Sequence, residues 1–568
     1  MIKKLLYLSL CCVAVIMVMS SCSGKLAPLT ADLFTVTPSV LEVAGGKVPV
    51  TISGNFPQSY FKKKAVLEIT PVLKWQGGEA RGKVATFQGE RIQGNNQVIS
   101  YAAGGNFTIK DVYDYVPQMA KSELVLEFVV IVGTKTISLP SLKVADGVIS
   151  TSTLITNTAN DANVALSSDA FQRIIKEAQQ TNILFLIQQA NIRASELNSA
   201  NIKDFNKQVK DVNAAENKKI SNIEISAYAS PDGAVSLNTG LAKNRETNTE
   251  SYINNQLKSS KIKDVLVDSK YTAEDWDGFQ ELVFKSNIQD KELILRVLSM
   301  YSDPEQRERE IKNISSVYKN LADEILPQLR RSRLTLNYEI IGKSDEEIAN
   351  LAATDASKLN IEELLYAATL TNDNAKKEAI YTSATQQFPN DYRAYNNLGA
   401  LAYQAGDQDK AESFYKKAAG IKAASEINLN LGLLALSKGD VAAAESYLGA
   451  ASGANYLDEA LGNLYIASGQ YERAVSSLGN SQTNSAALAQ ILTKDYNRAK
   501  STLDAVANPN ATTNYLNAII GARTNNAALL TSSLKKAVQE DHSWADRAAT
   551  DIEFDKYRTS SDFADIIK

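Results

Sequence analysis

The chain has 568 residues, with 60 Lys+Arg against 64 Asp+Glu for a net charge of −4, and only three Cys and one His. That length predicts about three or four domains, each able to bury its own core. A balanced charge excludes the basic stripe of a nucleic-acid binder, and so few Cys and His exclude zinc centres that need three or four such ligands.

In chain order, the first feature is a secretory signal over residues 1–21. Lys3 and Lys4 precede an apolar run, Leu5 to Met19, of 15 residues, shorter than the ~20 that span a membrane. The run ends in Ser20-Ser21-Cys22, which resembles the lipobox of bacterial lipoproteins. The resemblance implies cleavage before Cys22 and diacylation of that residue as the mature N-terminus, palmitate among the chains. Two or more acyl tails anchor stably. Ser23, where Asp would retain the protein in the inner membrane, implies the outer membrane. The stretch Ser23 to Leu26 lacks the acidic run of Bacteroidota-type surface lipoproteins, which implies the periplasmic face. Residues 22–34 read as a tether.

Residues 35–148 read as β structure. Lys47 to Ile52 alternates with period two, Ala65 to Trp75 and Glu123 to Val132 are β-rich, and Gly45-Gly46, Gly77-Gly78 and Gly104-Gly105 break the runs. Short strands between turn signals predict an all-β, immunoglobulin-like sandwich, with Trp75 and Tyr113 in its core. Residues 149–169, rich in Ser, Thr, Asn and Ala, read as a linker, with a helical pattern from about Ala170.

Residues 170–343 read as α/β. Ile183 to Gln188 is a strand candidate, Ala200 to Glu216 has helical spacing, Ile220 to Tyr228 is a second strand, and Ala227-Tyr228-Ala229-Ser230-Pro231-Asp232-Gly233 is a turn before a helix beginning near Asn238. Gly233, Asn238, Leu241 and Arg245 stand at the spacing of the motif Gly-x-Thr-Asp-x-x-Gly, Asn, Leu-Ser-x-x-Arg-Ala, and Arg333 to Ile341 suits a closing strand. These residues resemble the OmpA-like, peptidoglycan-binding family. The resemblance implies that Arg245 forks onto the carboxylate of a diaminopimelate centre and that an Asp answers its ammonium. The family's Asp falls on Ser230 here, leaving Asp232 as its substitute, with Asn238 in the same turn. A helical insertion is expected over about 271–328, anchored by Trp276.

Residues 344–568 carry an internal period. Leu398-Gly399, Gly406, Ala411, Tyr415 and Ala418 recur as Leu431-Gly432, Gly439, Ala444, Leu448 and Ala451, then as Leu461-Gly462, Gly469, Ala474 and Leu478. Ala379, Ala499 and Leu530 mark poorer copies. The pattern resembles tetratricopeptide repeats, which implies an all-α solenoid whose groove holds peptides or proteins. Arg393, Asn396, Asn397, Tyr403, Asn430, Tyr456 and Asn463 would line it, the Asn amides able to bond an extended backbone. An equal alternative is that they are simply soluble groove residues, or that the groove is filled by another part of this chain. Residues 541–568, with His542 and Trp544, read as a cap.

These features together predict a multi-domain, non-enzymatic scaffold with no cofactor and no metal. It would be lipid-anchored in the outer membrane, contacting peptidoglycan and holding an unidentified protein partner, with no nucleic acid. The alternative is a protein-interaction adaptor for surface-protein assembly or secretion whose OmpA-like domain does not hold cell wall. A cell-wall enzyme is a third reading, disfavoured because no Ser-x-x-Lys, His-Glu-x-x-His or Gly-x-Ser-x-Gly arrangement stands in a catalytic context.

Overall fold

Period-two alternation builds the N-terminal region. Its strands are β1 (Phe34–Thr37), β2 (Leu41–Glu42), β3 (Lys47–Phe56), β4 (Ala65–Trp75), β5 (Gly78–Arg81), β6 (Ala85–Gly89), β7 (Gln97–Ile99), β8 (Gly105–Asp114), β9 (Ser122–Val132), β10 (Lys135–Asp146) and β11 (Val148–Ile149). Along β3, Val48, Val50 and Ile52 turn inward while their neighbours face out. One sheet has the order β1-β3-β8, and a second runs β10-β9-β4-β6-β7 with β5 on β4. Both contribute to one core that includes Ile52, Leu67, Phe107, Leu126 and Phe128, with Tyr113 buried in it and Trp75 packed against it. The computed structural model describes residues 28–288, 291–313 and 319–568; the signal segment and Cys22 lie outside the described residues.

The chain divides into two compact units, Met1–Ser168 with Thr371–Lys568, and Asp169–Leu370. The strand-rich region and the helical repeats are therefore one unit, where the sequence suggested two separate domains with the α/β region between them. Their contact is close. The Tyr471 hydroxyl donates to the Val43 carbonyl at 3.1 Å, and a Cβ built on Gly45 would stand 2.9 Å from the Ser468 carbonyl oxygen.

The helical part is a series of antiparallel hairpins. Helix Tyr392–Gln404 pairs with Gln408–Ile421, Ser425–Ser437 with Val441–Gly449, Leu457–Ala467 with Tyr471–Leu478, Asn484–Leu492 with Tyr496–Asp504, and Ala511–Arg523 with Ala527–Glu540. Each hairpin turns through one residue in left-handed backbone: Gly406, Gly439 and Gly469, then Lys494 and Asn525. Five residues beyond each stands Ala411, Ala444, Ala474, Ala499 or Leu530, and nine beyond stands Tyr415, Leu448, Leu478, Leu503 or Leu534, all of them buried. One register therefore covers five hairpins. Before them, helix Asn374–Gln387 buries Tyr381 and Ala384 and leaves Ala379 exposed. The repeat there continues through Tyr381, 34 residues before Tyr415, and not through Ala379. At the chain end Trp544 packs on Tyr515 at 4.4 Å between ring centroids, closing the core, while His542 is exposed.

In the second unit, β12 (Ile174–Leu184), β13 (Lys218–Tyr228), β14 (Leu266–Thr272) and β15 (Arg331–Ile341) form a sheet of order β12-β15-β13-β14. The strand β12 replaces both the helix expected from Ala170 and the strand expected over Ile183 to Gln188. Pairing with β15 overrides the local pattern, since eleven residues of β12 match β15 one to one. Helix Ala200–Ala214 inserts Ile202, Phe205, Val209 and Val212, and helix Val235–Ser259 inserts Ile253 and Leu257, into a core with Ile223, Ile225, Leu334 and Leu336. Helices Trp276–Lys285, Lys291–Met300 and Pro304–Asn313 contribute to a small separate core with Phe279, Leu298 and Leu329. Helices Asp345–Thr354 and Ile361–Ala367 belong to this unit, where the repeat region was expected to begin at 344.

The repeat glycines set the closeness of each hairpin. A Cβ at Gly399 would meet the Tyr415 ring at 2.6 Å, and at Gly432 and Gly462 it would meet Leu448 at 2.6 Å and Leu478 at 2.4 Å. Gly420, near the end of its helix, has open space around its Cβ direction. Gly432→Ala should therefore cost about 1–3 kcal/mol by overpacking, whereas Gly420→Ala should stabilise by up to about 1 kcal/mol through helix propensity. Urea denaturation followed by circular dichroism should show opposite shifts for the two.

Candidate functional site

Within residues 149–169, expected to be a linker, residues 150–168 are a strap bound to the repeats. The strap touches the first helix of successive hairpins, its C-terminal end on the earliest. Ala165 donates its N–H to Asn430 Oδ1 at 2.8 Å, and its carbonyl accepts from Asn430 Nδ2 at 2.8 Å and Asn396 Nδ2 at 3.0 Å. Two residues on, Ser167 repeats the arrangement: its N–H reaches Asn397 Oδ1 at 2.8 Å and its carbonyl accepts from Asn397 Nδ2 at 3.0 Å. A side-chain amide presents one acceptor and one donor side by side, the complement of one extended residue's N–H and C=O. Alternate residues of an extended chain face the same side, so amides spaced along the groove read positions 165 and 167.

The rest of the strap is held by further groups. The Tyr403 hydroxyl donates to the Ala159 carbonyl at 2.6 Å, and Arg393 reaches the Ser168 carbonyl at 3.4 Å while bonding Asp391. Burial drives the Tyr403 hydroxyl pKa well above its ordinary value. Asp161 accepts from Asn484 at 2.7 Å and Asn510 at 2.8 Å; burial raises its carboxyl pKa and these amides oppose the rise. Glu459 takes Asn163, and Leu154 and Ile155 enter the core of the last repeats.

Of the seven groove residues expected from the sequence, five touch the strap through hydrogen bonds: Arg393, Asn396, Asn397, Tyr403 and Asn430. Asn463 is fully buried but bonds the Glu459 carbonyl within its own helix at 3.1 Å. Tyr456 is 52% exposed in left-handed backbone at the start of its helix, off the groove. Asn484, Asn510 and Asp161 went unrecognised. Asn484 lies ten residues before the hairpin turn at Lys494, as Asn396 lies ten before Gly406, but the shortened repeat hides that register.

The turn of the second unit is built differently from what the motif implies. Arg245 is 1% exposed. Its Nε donates to the Gln189 carbonyl at 3.0 Å, one terminal nitrogen to the Tyr228 carbonyl at 2.8 Å, and the other to the Leu186 carbonyl at 3.3 Å. Desolvation, with Arg330 nearby, brings its pKa down to about 10 despite Asp232. Asp232 is not an open counter-charge: it pairs with Arg330 at 3.0 Å and accepts from Ser230, whose hydroxyl in turn accepts from Arg330 Nε at 3.2 Å. Asn238 donates to the Gly233 carbonyl at 2.8 Å and the Ser230 carbonyl at 3.2 Å, which holds the turn shut. Pro231 lines a small cavity together with Trp276 and Phe279 of the helical insertion. The four residues are brought together, but their polar atoms bond one another and the local backbone. Arg330, which lies outside the motif, is the missing partner.

Among the described residues no group of three His, Cys, Asp or Glu is placed to hold a metal, and no helix is long and apolar enough to cross a membrane.

The tetratricopeptide repeat family model matches residues 392–425, the first of the five hairpins and the start of the next. No curated protein matches the chain. Solved structures similar to it include a tetratricopeptide repeat protein from Parabacteroides merdae, at 16% identity over 37% of this chain and 91% of that one, with a TM-score of 0.29. PilW, a type IV pilus biogenesis factor, is 16% identical over 39% of this chain and 99% of its own, with a TM-score of 0.24. PilF of Pseudomonas aeruginosa is 15% identical over 39% and 98%, with a TM-score of 0.24. The C-terminal region is a tetratricopeptide solenoid, the repeat type of protein-interaction scaffolds.

Asn430→Ala removes the acceptor for the Ala165 N–H and should cost about 1–3 kcal/mol. Hydrogen exchange at Ala165 and proteolysis within residues 162–168 should both accelerate. Asn463→Ala, which takes no hydrogen bond from the strap, should leave both unchanged; equal loosening by the two variants would contradict the assignment.

Proposed function

We propose that this chain is a non-enzymatic adaptor anchored in the outer membrane through lipid on Cys22, facing the periplasm, with an OmpA-like domain that does not hold cell wall. The observation that carries the reading is the commitment of Arg245 to three backbone carbonyls, with Asp232 committed to Arg330. A diaminopimelate centre needs a free guanidinium fork and a free carboxylate, and freeing either here would break a buried hydrogen bond at about 1–3 kcal/mol each. The solenoid supports the adaptor role, because stacked hairpins present extended surfaces to protein partners. The amide contacts to Ala165 and Ser167 support recognition of an extended backbone by the inner surface.

Co-sedimentation of the full chain with purified sacculi tests the domain: the chain should remain in the supernatant. Sedimentation by the wild type that Arg245→Lys reduces would restore the cell-wall bridge in place of the adaptor. Cys22→Ala should move the chain out of the outer-membrane fraction and abolish incorporation of an alkynyl palmitate analogue.

A further inference from the structure

The sheet of the second unit leaves one long edge open. β12 ends the strand order and pairs only with β15. Its two hydrogen-bonding sides can be assigned. The Arg173 carbonyl accepts from Gly342 and the Phe185 N–H reaches the Arg330 carbonyl, both at 2.7 Å, so odd-numbered residues face β15. The Leu184 N–H turns the other way, to Glu196 Oε1 at 3.0 Å. Antiparallel strands alternate in this manner, so Ile174, Lys176, Ala178, Gln180 and Asn182 present N–H and C=O outward. Among the described residues none of these outward backbone groups takes a hydrogen bond.

Open edges invite pairing, and proteins normally blunt them with Pro, bulges or short strands. Among the other edges, β10 carries Pro140 and two register shifts, β1 and β7 are only four and three residues long, and β14 has seven residues; β8 has ten, but side chains take part of its outward backbone, Gln97 bonding the Asn106 carbonyl at 2.8 Å and Asp111 the Val112 N–H at 2.9 Å. By contrast, β12 has eleven residues with no Pro and no bulge, and Ile174 on it is 52% exposed.

We propose that β12 pairs antiparallel with β12 of a second copy of this chain, about a two-fold axis through Ala178. The charges select the copy and the register. Centring on Lys176 or Glu177 sets like charges directly opposite each other, which is destabilising. Centring on Ala178 sets Lys176 opposite Gln180 and Glu177 opposite Gln179, each charge facing an amide that can bond it. The same register matches all five outward residues with outward residues: 174 with 182, 176 with 180, and 178 with itself. The interface is isologous, as two-fold symmetry demands.

Sedimentation equilibrium of the full chain should show a monomer–dimer equilibrium. Ala178→Pro removes an N–H that points away from β15, a position where an edge strand tolerates Pro, and should yield a monomer with unchanged circular dichroism. Gln180→Lys places Lys opposite Lys176 twice per dimer and should weaken dimerisation about five-fold, whereas Gln180→Glu should tighten it by a similar factor. A folding defect cannot reverse sign between those two variants, so they decide the matter even if the Pro variant fails to fold. A chain that stays monomeric at all concentrations, or a dimer indifferent to the charge at 180, overturns the proposal.

Discussion

A peptide group that leaves water must find an acceptor for its N–H and a donor for its carbonyl, or forfeit free energy that few contacts restore. Regular helices and sheets meet this demand within themselves. The strap, over Ala162 to Ser168, has neither, yet Ala162, Val164, Ala165 and Ser167 along it are buried. Asn396, Asn397 and Asn430 meet the demand instead, with a 3.0 Å bond from Asn430 Nδ2 to Asn396 Oδ1 joining the two hairpins that hold it. Through the strap the β region and the solenoid become one unit, because the chain leaving β11 is held to the repeats by those amides.

The same requirement decides the second unit. The segment from Leu186 to Gln189 lies outside the strands and turns carbonyls inward, and Arg245, with five donors in a planar fork, is the side chain that can satisfy several at once. Its cost is a buried charge, which lowers the guanidinium pKa. A guanidinium used as an internal clamp is no longer a ligand fork, and a motif can keep its spacing while its chemistry turns inward. On the outward side of β12 no protein group among the described residues meets the requirement, and for that reason the edge remains able to accept a strand.

Spacing constraints governed the repeats and were the most legible part of the chain. Gly399, Gly432 and Gly462 recur because a Cβ there would overlap the residue nine beyond the hairpin turn, and such local packing leaves a period in the sequence. The period faded after Gly469 because Lys494 and Asn525 hold the left-handed turn in place of glycine, Asn at little penalty and Lys against its side chain's preference. Alternation made the N-terminal strands equally legible. β12 was not, since its exposed face and edge impose no apolar pattern, and only its partner β15 specifies it.

The amino-acid sequence by itself determined the strand-rich N-terminal region, the helical C-terminal region, the hairpin register, and the amide-rich inner face of the solenoid, because each rests on residues a few positions apart. Tertiary structure alone decided what those groups bind. Asn430 and Ala165 are 265 residues apart, and Arg330 and Asp232 are 98 apart. Hydrogen bonds across such distances leave no periodicity to read, so the strap in the groove and the internally paired turn emerged only when the chain was folded.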